Sequence, residues 1–351
     1  MQNETRADGV HMVGAINLES VEDVFTKVPT ALGARLKRLP DGEPGSRRLF
    51  ITYQYPFLRA QPFLEPSPSA PLFFLPVLRV RDSADASRIR FGELGYAREA
   101  RASYQQFERA QADGRIPEHC RFQVSLPTPL EVLHAFIEPQ SLARVEPAYE
   151  AAMLREVRDI CQAIPHDKLA LQWDLCTEMI LWDGRLVELF PQVWYPPFPD
   201  IKTGLTQRIA RISQAVPADV ELGYHLCYGD LDHKHFIDPE DTAKMAEFAI
   251  AICRHVERKV DWLHLPVLAK WTDSKPYEPL RALELSPHTE LYLGVVHHHD
   301  GIEGTRARIA AAHQVVPRFG IATECGMGRR DAVQIEELLQ VHAACCRPAA
   351  P

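Results

Sequence analysis

His225 and Cys227 stand two residues apart in Glu221-Leu-Gly-Tyr-His-Leu-Cys-Tyr-Gly-Asp230. The segment reads as a β-strand running into a loop. Side chains alternate faces along a strand, so this spacing puts the imidazole and the thiol on one face. Neutral imidazole and thiolate are common zinc ligands. A later strand, Gly320-Ile-Ala-Thr-Glu-Cys-Gly-Met-Gly328, ends in another thiol, Cys325. A metal site follows if the fold brings those two strand ends together.

The elements that must position them alternate along the chain. Strands are expected at 12–17, from Leu36 to an exit turn at Asp41-Gly-Glu43, and at 122–127 and 169–175. They continue with the His225 strand, 260–265, 290–296 and 319–323. Helices are expected at 21–36, 96–112 and 147–163, and after Asp238, which would cap a helix with Pro239 at its start. Thr128 followed by Pro129 is a helix N-cap signal. Strand–helix alternation implies a parallel sheet, and eight units imply an α/β fold with a single (β/α)8 TIM barrel. Residues 56–95, Pro-rich at first, read as an irregular, lid-like insertion after strand 2, with room for a hairpin; 340–351 read as a tail of one domain spanning 1–351. An open doubly wound sheet is the alternative, but no Gly-x-Gly-x-x-Gly fingerprint or P-loop is present.

Composition narrows the functional classes. A net charge of −8 argues against nucleic-acid binding. No run of about 18 apolar residues suggests a membrane span. Met1–Asp8 is polar and lacks an apolar signal region, which points to the cytoplasm. The eight Cys show no disulfide-framework spacing and read as mostly reduced core residues.

Barrel enzymes build their sites at the C-terminal strand ends. Those ends carry Asn17, Asp41 with Glu43, Thr128, Asp174 with Glu178, His225 with Cys227, His264, His297-His-His-Asp300, and Glu324 with Cys325. Asn17, Asp41, Glu43, Asp174 and Glu178 are candidate substrate contacts; Asp174, His299 and Glu324 are candidate catalytic groups. Each has a structural reading beside it. Asp41-Gly-Glu43 is also turn chemistry, His264 also a core histidine, Asp174 also half of a buried ion pair, and the His297–His299 run also a solvated loop.

With these pieces in order, the chain resembles the catalytic barrel of cobalamin-independent methionine synthases, in the superfamily that includes uroporphyrinogen decarboxylase. The matching pieces are Val13-Gly14, Asp41-Gly-Glu43, Gln172-Trp-Asp174, Tyr224-His-Leu-Cys-Tyr228, Gly294 to His299, and Glu324-Cys-Gly326. His-x-Cys followed by a late Cys-Gly is the specific part. The resemblance implies zinc held by His225, Cys227 and Cys325, and a zinc-activated thiol that attacks a methyl group. The family's Glu ligand falls near Pro266, which cannot bind metal; His264, two residues earlier on the same strand face, would substitute. Glu43 and Asp174 match positions that hold a substrate amino group, and His299 a histidine near the methyl-transfer centre. Ala15 stands where the family has Ser, and the family's first barrel is absent, so the resemblance implies thiol alkyl transfer without fixing homocysteine or folate.

The resulting expectation is a zinc-dependent transferase moving a methyl or alkyl group from a small-molecule donor to a small thiol. A three-ligand zinc could instead activate water, with Glu324 or His299 as base, giving a hydrolase or lyase. A metal-free decarboxylase would use Arg47, Arg48, Arg329 and Arg330 for substrate carboxylates and leave the Cys–His–Cys set idle. A non-catalytic binding protein is disfavoured by so many ionisable strand-end groups.

Overall fold

In the computed structural model, residues 7–68, 75–231 and 233–347 are described. In chain order the strands are β1 (Arg38–Pro40), β2 (Leu64–Pro66), β3 (Leu78–Val80), β4 (Arg121–Pro127), β5 (Leu169–Leu175), β6 (Glu221–Leu226), β7 (Trp262–Pro266), β8 (Glu290–Val296) and β9 (Gly320–Thr323). All but β2 and β3 form one parallel sheet in the order β1-β4-β5-β6-β7-β8-β9. Helices follow most strands and cover the outer face. Covered on both faces, the strands are almost wholly apolar on the outside, and every residue of β5 is buried.

The expected strand at 12–17 is not a regular strand. Val10 instead makes isolated parallel bridges to both Leu36 and Ile321, and Ile16 bridges Met327. The cause lies in the neighbouring side chains. Gln123 Nε2 donates to the Met12 carbonyl at 3.0 Å, and Gln172 Nε2 to the Val13 carbonyl at 2.6 Å. These carbonyls therefore bond inward to side chains rather than to an adjacent strand.

Other boundaries moved for local reasons. The helix expected at 21–36 ends at Leu32 because Gly33 turns with φ 51°. The helix expected at 147–163 starts at Pro139, and Pro147 lies within it. The helix expected from Pro239 starts at Ala243, whose N–H donates to Asp241 Oδ1 at 2.7 Å. Asp238 instead accepts from Lys270 Nζ at 3.2 Å. Within 56–95, β2 and β3 pair as an antiparallel ribbon; part of the Pro-rich and apolar stretch, residues 69–74, lies outside the described residues. Residues 340–345 complete a helix, Ala332–Cys345, and Cys346 bridges Ala7. No helix among the described residues is long and apolar enough to cross a membrane.

Inside the curled sheet, polar residues are stacked in layers. At the N-terminal end Arg38 is buried, with Nε 2.6 Å from Glu221 Oε2, Nη1 2.9 Å from Glu290 Oε2, and its guanidinium 4.1 Å from the Trp262 ring centre. Above it, Gln172 Oε1 accepts from Trp262 Nε1 at 3.2 Å and from His11 Nε2 at 2.8 Å. The Trp262 ring occupies the place a side chain at Gly223 would need: a Cβ there would sit 2.0 Å from the indole. In the next layer Asp174, His225 and His264 lie in register on β5, β6 and β7. Each layer fixes the one above, so the strand-end groups stand on a rigid floor.

Candidate metal centre and substrate cavity

His225 ends up in that top layer, and Cys227 follows just beyond the end of β6. Their ligand atoms and the Sγ of Cys325 all lie within 4.8 Å of one another. The two sulfurs are 3.7 Å apart. Two sulfurs held at about 2.3 Å on a tetrahedral metal stand about 3.8 Å apart, so the pair already has the spacing zinc requires. His225 Nε2 is buried with no hydrogen-bond partner among the described residues. Burial, then His264, holds the His225 imidazole well below its usual pKa, so it is neutral and keeps a lone pair to donate. These observations fit a zinc ligand set.

His264 is not in the trio. Its Nδ1 lies 2.6 Å from His225 Nδ1. Burial takes His264 down to about 3, so both rings are neutral and one proton lies between the two nitrogens. When His225 donates that proton, its Nε2 is left as the metal-binding lone pair. Cys227 is steadied by the turn after it: Gly229 N–H donates to its sulfur at 3.2 Å. Gly229 has φ +88° and the Phe236 ring 2.4 Å from where a Cβ would be, so only glycine fits this turn.

The trio opens into a cavity of about 290 Å³. Glu43, Glu131 and Asp174 line one part of it, and Phe136, Trp194 and Phe236 are among its apolar walls. Burial drives all three carboxyls well above their usual range; Asp41 adds to this at Glu43, and Glu178 then Asp174 at Glu131. Gln172 Nε2 donates to Asp174 Oδ1 at 2.7 Å and fixes its direction. Glu43 is held in a left-handed conformation, φ 53°, by its own N–H donating to Asp41 Oδ1 at 2.8 Å. Asp41 Oδ2 takes Arg47 and Ser103 at 2.8 and 2.6 Å, so Asp41 shapes the loop that presents Glu43.

Other expected site residues stand elsewhere. Asn17 joins two rim loops, donating to the Arg330 carbonyl and accepting from Arg48 Nη1, at 2.8 and 2.9 Å. Glu178 is buried outside the cavity lining, where Thr128 Oγ1 donates to it. His299 and Glu324 line a neighbouring cleft. The His299 side chain is 65% exposed and 3.6 Å from Asp300. Glu324 is 3.4 Å from both His297 Nδ1 and Arg330 Nη2. Asp230 and Phe236 border both spaces. Arg48 and Arg329 line the cavity, whereas Arg47 is engaged by Asp41.

Two cavity residues escaped the sequence reading. Glu131 was hidden by the strong helix start at Thr128, which explained the segment without it; its Oε2 is buried and unpartnered among the described residues. Cys176 read as a core cysteine, yet it lines the cavity too. The signal was present: Asp174 and Cys176 repeat the spacing of His225 and Cys227.

Glu178 has a measurable signature. Burial raises it from 4.5 to about 7. A carboxyl whose pKa is raised on folding is bound more tightly to its proton in the native state. Stability is therefore greatest below about pH 4.5 and falls as pH rises to about 7. Thermal unfolding of Glu178→Gln and the parent chain at pH 5 and pH 8 checks this: the variant's relative stability should be higher at pH 8. An equal difference at both pH values would contradict the assignment.

The curled parallel α/β sheet with its site at the C-terminal strand ends is a known architecture. The structure of the putative vitamin-B12 independent methionine synthase from Listeria monocytogenes matches it with a TM-score of 0.59 at 15% identity, over 97% of this chain and 96% of that one. A B12-independent methionine synthase from Shewanella sp. W3-18-1, solved in complex with selenomethionine, matches with a TM-score of 0.56 at 13% identity, over 97% of each chain. These are proteins of the kind that the His-x-Cys and Cys-Gly pieces resemble, and at such identity the likeness establishes the fold. No protein-family model matches the chain, and no curated protein matches it in sequence.

Proposed function

We propose that this chain is a zinc-dependent transferase that moves a methyl or alkyl group onto a small thiol carrying an amine. The carrying observation is the trio of His225, Cys227 and Cys325, within 4.8 Å of one another, at a cavity that Glu43 and Asp174 also line. His225, Cys227 and Cys325 would hold the zinc, which would lower the pKa of a substrate thiol and favour its thiolate form. The substrate's sulfur–carbon bond forms as the donor's bond to that carbon breaks, and the donor's leaving group departs with the electron pair. The selenomethionine bound to the Shewanella protein has the chemistry of such a product, an amine with an alkylated chalcogen.

The chain's own residues supply the rest. Glu43 and Asp174 hold the ammonium group between them, and because burial keeps their pKa values high, binding the cation releases protons from them. Phe136, Trp194 and Phe236 keep water from the thiolate. His264 orients His225 rather than binding metal. His299 and Glu324, in the adjoining cleft, serve the donor side of the reaction. Residues 7–17, bridged to both edges of the sheet, act as the eighth stave of a single barrel domain. Eight free cysteines suit a reducing compartment, and we place the protein in the cytoplasm.

The test uses zinc-loaded protein and a panel of small thiols with and without an amine, with alkylation of sulfur as the readout. Glu43→Gln with Asp174→Asn should raise KM for amino-thiols by roughly 10- to 100-fold, about 1.4 kcal/mol for each tenfold. KM for thiols lacking the amine should be unchanged. Equal losses for both thiol classes would sink the amine assignment, and no alkylation of any thiol would sink the transferase.

A further inference from the structure

Cys176 is a thiol that the reading above leaves without a task. It follows β5 directly and is the first residue of the helix Cys176–Asp183. Along β5 and β6, Asp174 pairs with His225 and Leu175 with Leu226. The next position on each strand is therefore Cys176 on one and Cys227 on the other. Cys176 lines the same cavity as the trio. Cys227 in turn lies 3.7 Å from Cys325. Three thiols thus line one cavity, with Cys176 outside the compact trio.

The rest of the surroundings leaves a coordination position on this side. A zinc centre takes four ligands. On β7 the residue beside the trio is Pro266, which has no donor, and His264 is committed to His225.

We propose that Cys176 is the fourth protein ligand of the zinc centre in the substrate-free enzyme, making the set one histidine and three cysteines. This rests on the zinc reading above. Three thiolates give the Zn²⁺ centre one net negative charge, where two would leave it neutral. An incoming thiol would take the place of Cys176 at the metal.

Zinc K-edge absorption of the substrate-free holoprotein counts the sulfurs directly. The expected shell is three sulfurs at about 2.3 Å and one nitrogen at about 2.0 Å. Cys176→Ala and Cys176→Ser should each fall to two sulfurs. Each should lose more zinc affinity, by chelator competition, than the roughly 10- to 100-fold that loss of an outer-shell partner costs. A wild-type shell of two sulfurs, or an unchanged sulfur count in the variants, overturns the proposal and leaves the His225–Cys227–Cys325 centre standing. Absence of tightly bound zinc overturns both. The wild-type count needs no variant, so a poorly folding substitution does not blunt the test.

Discussion

Cys227→Ser and Cys325→Ser are each expected to reduce bound zinc from about one equivalent to below about a tenth, with alkyl transfer lost alongside. A serine hydroxyl stays protonated at neutral pH and offers zinc neither the charge nor the soft donor of a thiolate. The trio supplies two thiolates at a sulfur spacing of 3.7 Å, and neither can be replaced from the other's strand. The fold should survive, because both residues lie at the C-terminal ends of β6 and β9, beyond the packed layers. Metal content by mass spectrometry and far-UV circular dichroism separate the two effects. His264→Ala, which strips a support from His225, should cost only about 10- to 100-fold in zinc affinity. A serine variant that keeps stoichiometric zinc would remove its cysteine from the site.

Asp300→Ala is expected to be strongly destabilising although it lies outside the site. Arg308 is fully buried, and Asp300 meets it with both oxygens, at 2.6 and 2.8 Å. The guanidinium also donates to the Val295 and Ala269 carbonyls, each at 2.8 Å, so it ties β8 and the loop after β7 to the helix Gly301–His313. Removing the carboxylate strands a buried charge. Breaking such a pair costs about 3–5 kcal/mol, and about 3 is expected here because Asp300 is 28% exposed and water reaches it. Asp300→Ala with Arg308→Met should recover most of the loss, since no unpaired charge remains. Denaturant unfolding of the single and double variants measures both. A single variant within about 0.5 kcal/mol of the parent would show that water alone satisfies Arg308.

Much of the scaffold was legible in the sequence because parallel strands buried on both faces leave mostly apolar runs, as in 169–175 and 290–296. His225 with Cys227 was legible because strand periodicity settles which side chains share a face. The segment 12–17 was not, because its backbone bonds depend on Gln123 and Gln172, more than a hundred residues away. The start of the helix at Ala243 depended on a choice between two acids, Asp238 and Asp241, and nothing local marked that Asp238 would be taken by Lys270. Within the site, strand-end position marked Glu43 and Asp174 but did not separate them from Asp41 and Glu178, whose oxygens turn toward Arg47, Ser103 and Thr128. Which way a carboxylate turns is a matter of tertiary packing. Cys176 was within reach of the same alternation that singled out Cys227, once the β5–β6 register is known.

The central claim is that His225, Cys227 and Cys325 hold zinc. Metal analysis of the wild-type chain, purified without added zinc and again after loading and desalting, tests it most directly. About one equivalent of zinc per chain is expected in the loaded protein, removed by chelators only slowly. Less than about a tenth of an equivalent after loading, with the thiols reduced, would contradict it.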